Sequence, residues 1–196
     1  MKKHISLILI SFLFCTACEN KKLTLVCNIK LDRTFPVDQT GAFSSSSQIT
    51  SDQVRNDLDI PETATIEEVN IESISIKVLV LQDNQATAVR VSGKLQIGNT
   101  APKLFNDYIA PLVLVDNPYI GLNTIIAEGI QGIRSKIEEY LKTMDNTPIN
   151  ITLVGDSSPT AGNRIHAQIL LKINGTVKYS ECINLPFFMG GEKCSQ

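Results

Sequence analysis

Along most of this chain apolar residues recur at every second position, the period of a half-buried β-strand. Leu23, Leu25, Cys27, Ile29 and Leu31 form the first such run. Ile74, Ile76, Val78 and Val80 form the next, followed by Val89, Val91, Leu95 and Ile97. A tight turn at Asp83-Asn84 would set Val78 opposite Val89 and Ile76 opposite Val91, so the spacing predicts a hairpin with its two apolar faces in common. A further strand is expected within Leu112 to Val115. Ile149, Ile151 and Leu153 alternate again, as do Ile165, Ala167, Ile169, Leu171 and Ile173, and then Val177, Tyr179, Ile183 and Leu185. Asn174-Gly175 separates the last two runs. A three-residue loop ending in a left-handed Gly175 would place Leu171 against Val177 and Ile169 against Tyr179, which predicts a second hairpin.

The period changes in two places. Leu122, Ile126, Ile130, Ile133, Ile137 and Leu141 step by three or four, which predicts one long amphipathic helix from about Pro118 to Lys142. Asn117-Pro118 suits its start, because proline fits the first helical turn. Gly129 and Gly132 weaken an exposed helix, so their presence points to close packing on a sheet beneath. Residues 38–68 are polar, with serines from Ser44 to Ser47 and a short helical stretch from Ser51 to Leu58 that Pro61 would stop. This segment reads as a long surface connection outside the core. Strands in antiparallel pairs, one long helix and no βαβ alternation predict a mainly β fold. The expectation is an antiparallel β-sandwich or half-barrel with the helix packed on it. A 43% hydrophobic content supports one core, and residues 23–196 are expected to form a single domain.

The first residues follow neither period. Lys2 and Lys3 precede an apolar run from Ile5 to Phe14, and Thr16-Ala17 supply small residues before Cys18. This is the layout of a cleaved secretory signal over 1–17. The run is short of the roughly 20 apolar residues that a membrane helix needs. The segment resembles the lipobox signal of bacterial lipoproteins, although Cys15 stands where that motif usually has leucine. The resemblance implies that Cys18 is acylated with palmitate-type chains, that 18–22 is a lipidated tether, and that the protein sits outside the cytoplasm on the bacterial cell envelope. Each buried CH₂ of such a chain contributes about 0.8 kcal/mol, so the lipid does the localising. Its partners would be the membrane, through the lipid, and another envelope protein; the oligomeric state is left open. The stretch IEEVNIESISIKVLVL (66–81) is similar to the immunoglobulin-like domains of many uncharacterised bacterial lipoproteins, a likeness of pattern that carries no functional residue across.

Charge and chemistry narrow the function further. The net charge is −2 and no basic cluster follows Lys21-Lys22, so nucleic acid is not an expected partner. Without the signal and Cys18, three cysteines remain. Cys27 shares the apolar parity of its strand and reads as a small buried hydrophobe. Cys182 and Cys194 are the easiest pair to join by a disulfide, through a bend at Pro186 and Gly190-Gly191. No metal-binding spacing occurs, and neither a metal nor a cofactor is expected. His166 is the one histidine left, at a solvent-facing position. Gly155-Asp156-Ser157 resembles the first block of GDSL-type hydrolases, but no helix follows it and the later Asp-x-x-His block is missing, so a polar hairpin loop accounts for it. The clusters Asp57/Asp59/Glu62 and Glu67/Glu68/Glu72 read as solvated surface. Without tryptophan, Tyr108, Tyr119, Phe187 and Phe188 are the remaining aromatic contact candidates. The sequence therefore predicts a non-enzymatic, lipid-anchored binding or structural module. The alternative is a carrier holding an apolar ligand in a cavity between helix and sheet.

Overall fold

A computed structural model describes residues 18–114, 117–143, 145–186 and 192–194. The signal segment 1–17, the Gly190-Gly191 bend, Phe187 and Phe188 lie outside the described residues. Among the described residues, nine strands make two antiparallel sheets. Sheet A has the order β6-β3-β8-β1-β9, from Ile120–Gly121, Thr65–Val80, Arg164–Pro186, Cys18–Thr40 and Glu192–Lys193. Sheet B has the order β2-β7-β4-β5, from Phe43–Ile49, Ile149–Ser158, Ala88–Gln96 and Lys103–Pro111. Two helices, α1 (Ser51–Leu58) and α2 (Ala127–Thr143), complete the described elements. The mainly β sandwich is as expected; the helix content and the strand partners are not.

β8 is the spine. Its odd positions Ile165, Ala167, Ile169, Leu171, Ile173 and Val177 are all buried, and it pairs with β1 on one side and β3 on the other. The Asn174-Gly175 hairpin is therefore corrected: the strand runs straight through. Gly175 faces Ile29 of β1 and Ile71 of β3, where β3 carries a bulge between Ile71 and Ser73. A Cβ on Gly175 would sit 2.2 Å from the Asn70 carbonyl oxygen, so the site has room only for hydrogen. The odd parity of the buried positions holds from Ile165 through Val177, across Gly175, and that continuity outweighs the local turn signal.

The Asp83-Asn84 hairpin is also corrected, for Val78 lies opposite Ile169 and Ile76 opposite Leu171, while Val89 and Val91 pair within sheet B. The intervening loop crosses from one sheet to the other. It is tied to the start of β8, with Leu81 N–H on the His166 carbonyl at 2.9 Å and Gln85 N–H on the Arg164 carbonyl at 3.0 Å. The apolar faces of β3 and β4 do share a core, but across the sandwich. In place of the strand expected within 112–115, β5 lies just upstream, and Val115 lies outside the described residues. Leu112 is buried beyond its end, and Val113 and Leu114 are exposed.

The polar segment 38–68 is no mere connection. It holds the end of β1, all of β2 and α1, and the start of β3, and it buries Phe43, Ile49, Val54, Leu58 and Ile66. Thr50 caps α1 by accepting from Gln53 N–H, and the Gln53 side chain accepts from Thr50 N–H in return. The one long helix expected from Pro118 is shorter and begins at Ala127. Leu122 sits at helical spacing, yet its N–H bonds the Ile74 carbonyl at 2.9 Å beside β6. From Ala127 the stripe is genuine, with Ile133, Ile137 and Tyr140 fully buried and Ile130 half-buried. Gly129 rests on β5, where a Cβ would lie 2.5 Å from the Lys103 carbonyl oxygen. Tyr140 Oη hydrogen-bonds the Ile49 and Thr147 carbonyls at 3.1 and 2.7 Å, and buried Lys136 binds Glu139 and Asp145. Those contacts lock the far end of α2 to sheet B.

Candidate functional site

Residues 18–22, read from the sequence as a lipidated tether, lie in the first segment of β1. Cys18 pairs with Pro186, Lys22 with Cys182 and Leu25 with Tyr179, so the two longest strands continue together past the core as a β-ribbon. The first buried apolar side chain described in β1 is Ile29. Eleven residues separate it from Cys18, about 36 Å at a strand rise near 3.3 Å. Cys182 and Cys194 are joined by a disulfide with a Cα–Cα separation of 6.0 Å, which staples the ribbon to β9 as that short strand pairs with Lys21 and Lys22. Cys27 is a free thiol among the described residues, half-buried rather than fully so. Its Sγ lies 3.7 Å from the Val177 carbonyl oxygen, and burial pushes its pKa up.

One of the acidic clusters does more than meet solvent. Glu67 takes Lys22 from β1 at 2.9 Å and Lys178 from β8 at 3.2 Å. Hydrogen bonds from Lys22 and then Lys178 hold its carboxyl down at about 2. This clamp spans all three strands of the ribbon's base. Asp145, which no sequence pattern singled out, is likewise held at about 2, chiefly by its bond to Lys136.

Ser157 and His166 are not brought together. Ser157 is at the end of β7 in sheet B, where its hydroxyl donates to the Thr160 carbonyl at 2.8 Å and accepts from Asn163 N–H at 3.0 Å. His166 is on β8 in sheet A, and its Nδ1 meets the Gln82 carbonyl. Tyr119 lies under two cations of sheet A's outer face, with Lys172 Nζ at 4.4 Å and Lys77 Nζ at 6.0 Å from its ring centre. Tyr108 is half-buried against the core. A half-open groove of about 730 Å³ runs past the ends of both helices beside the start of β3, and mixes Arg55, Asp59, Glu62 and Lys142 with Ile60 and Leu141.

These features define a two-sheet antiparallel β-sandwich with a disulfide-stapled strand ribbon. No protein-family model matches the chain, and no curated protein resembles it. Among solved structures it is similar to one described as "Structure of infectious bursal disease virus Gx strain", at 10% identity and a TM-score of 0.31. The match covers 85% of this chain and 42% of that one, so this chain spans less than half of that protein's length. A likeness so distant carries no argument about function.

Proposed function

We propose that this protein is a lipid-anchored, non-enzymatic binding or structural module of the bacterial cell envelope, held through acylated Cys18. The observation that carries the reading is that Cys18 already lies in the β1–β8 ladder, opposite Pro186. An anchor placed there is joined to the sandwich by a backbone ladder, with no slack between lipid and core. Such a domain is presented at a set distance from the membrane, and its function is defined by what it touches there. The hydroxyl of Ser157 is committed to its own loop and His166 to Gln82, which supports a non-catalytic role for both. The carrier alternative has less support. The space between α2 and the sheets is filled by Ile133, Ile137 and Tyr140, and the groove beside the helix ends is half-open, with Arg55, Asp59, Glu62 and Lys142 set among its apolar residues.

Fractionation of cells producing the wild type and Cys18→Ser tests the anchor. The wild type should sediment with membranes and carry added acyl mass on Cys18, while Cys18→Ser should be soluble or unprocessed. An unmodified Cys18 in the intact mass of the wild type would overturn the proposal.

A further inference from the structure

The backbone just after the proposed anchor is closed on two sides. From Cys18 to Lys22, β1 pairs with Pro186 to Cys182 of β8. On its other side Lys21 and Lys22 pair with Lys193 and Glu192 of β9, and the Asn20 carbonyl accepts from Cys194 N–H at 3.2 Å. Asn20 thus faces β9, and Lys22, two residues on, faces the same way. Lys22 is held a third time, through its side chain, by Glu67 of β3 at 2.9 Å. The Cys182–Cys194 disulfide joins the two flanking strands, with Cys182 directly opposite Lys22.

On its own β9 has little to hold it. Glu192 and Lys193 are both exposed, and a two-residue pairing supplies only a few backbone hydrogen bonds of small net worth. The disulfide therefore decides whether β9 stays. It joins cysteines 12 residues apart, and a bridge of about that span shifts an opening equilibrium by at least about tenfold. With the disulfide formed, Asn20 to Lys22 run between two strands. With it reduced, they are the fraying edge of a ribbon.

The lipid-anchor reading requires two reactions at this place. In one, the Cys18 thiol displaces the leaving group of a membrane phospholipid: an S–C bond forms, and the thiol proton departs with that group. In the other, water adds across the Ala17–Cys18 peptide bond and frees the Cys18 amine. Enzymes that cut or modify a chain take it extended and bind its backbone groups much as an added strand would. Groups already bound by β8 and β9 are not on offer. The disulfide forms by exchange with an oxidised thiol–disulfide carrier, which takes two electrons and two protons from Cys182 and Cys194 and leaves as a dithiol. That exchange also belongs outside the cytoplasm, so all three reactions share a compartment. We propose that their order is fixed: lipid transfer and signal hydrolysis precede oxidation of Cys182 and Cys194, which then latches the finished segment between β8 and β9. This order rests on the reading of Cys18 as the anchor.

The test uses the full precursor in detergent, with the Cys182–Cys194 disulfide formed or reduced, offered to bacterial membranes that contain the lipid-transferring and signal-cleaving enzymes. Intact mass against time reads both reactions. Reduced wild type and Cys194→Ser should be processed, and the disulfide form should be slower by at least about tenfold until reductant is added. Equal rates for oxidised and reduced wild type would overturn the proposal. Amide exchange on the same samples without membranes reads the latch alone. Asn20 and Lys22 should exchange at least about tenfold faster on reduction, while Ile169 to Ile173 of β8 stay protected. Unchanged protection at Asn20 and Lys22 would overturn the latch. So would loss of protection throughout β8, which would make the disulfide a condition of folding. A precursor whose mass never changes in any form would sink the anchor reading and the order with it, and the exchange result tells that failure from a failure of the latch.

Discussion

Replacing Gly175 with alanine is the sharpest test of the spine. The new methyl would sit 2.2 Å from the Asn70 oxygen and 3.2 Å from Ile71 Cα, both backbone atoms that no rotamer change can move. Ordinary contact between a carbon and an oxygen needs about 1 Å more than the first distance, so β3 must part from β8 at its bulge. Overpacking of this kind costs about 1–3 kcal/mol. Losing one or two ladder hydrogen bonds adds about 1 kcal/mol each, for a total of about 2–5 kcal/mol. In a domain of this size 1 kcal/mol shifts the melting temperature by roughly 2–4 °C, so a fall of about 4–20 °C is expected. Gly162→Ala is the control: it has φ +91° but nothing within 4 Å of its Cβ. There the left-handed backbone alone should cost about 1–2 kcal/mol. Urea titration with constant m would report both. If Gly175→Ala costs no more than Gly162→Ala, the glycine is not wedged between strands and the unbroken β8 is wrong.

Ile137→Ala removes a fully buried side chain of α2 and should cost about 2–5 kcal/mol in the same titration. Glu138→Gln one residue on loses a surface pair with Lys142 at 2.5 Å and should cost about 0.3–0.5 kcal/mol; equal losses would show that the stripe is not core. Glu67 has its folded value at about 2 against an ordinary 4.5, so its stabilising effect is fully present above 4.5 and is lost as the pH falls toward 2. The urea midpoint should drop across that window, and Glu67→Gln should flatten the drop; an unchanged slope would refute the Lys22–Glu67–Lys178 clamp.

Alternation told which faces are buried, and that part of the fold was legible. The odd positions of β8 and the opposed parities of β3 and β4 are in the core as read. Partner choice was not legible, because a strand's face pattern is the same whichever neighbour it pairs with. Asp83-Asn84 carried a turn signal that serves a crossover between sheets equally well. Asn174-Gly175 carried one too, although the parity continuing through Gly175 was the clue against it. The segment 38–68 looked polar because an edge strand and a two-turn helix bury few residues: Phe43 and Ile49 sit at the two ends of β2, with serines between. Of the candidate site, Glu67 was visible as a carboxylate in a cluster, but its two lysines come from distant strands.

The central place of β8 also orders assembly in time. A chain is made from its N-terminus, and β1 and β3 come first, yet both find their main partner in β8. Until Arg164–Pro186 follows, Ile29, Leu31 and Phe35 on one strand and Ile74, Ile76 and Val78 on the other have no shared neighbour. Sheet B is under no such constraint, since β4 meets β5 directly and β7 joins them before β8 exists. Closing so long a loop places folding toward the slow, milliseconds-to-seconds end for domains of non-local pairing. Sheet A therefore forms by one late insertion between two waiting strands, and a chain stalled before Arg164 presents two unpaired apolar strands as an aggregation template.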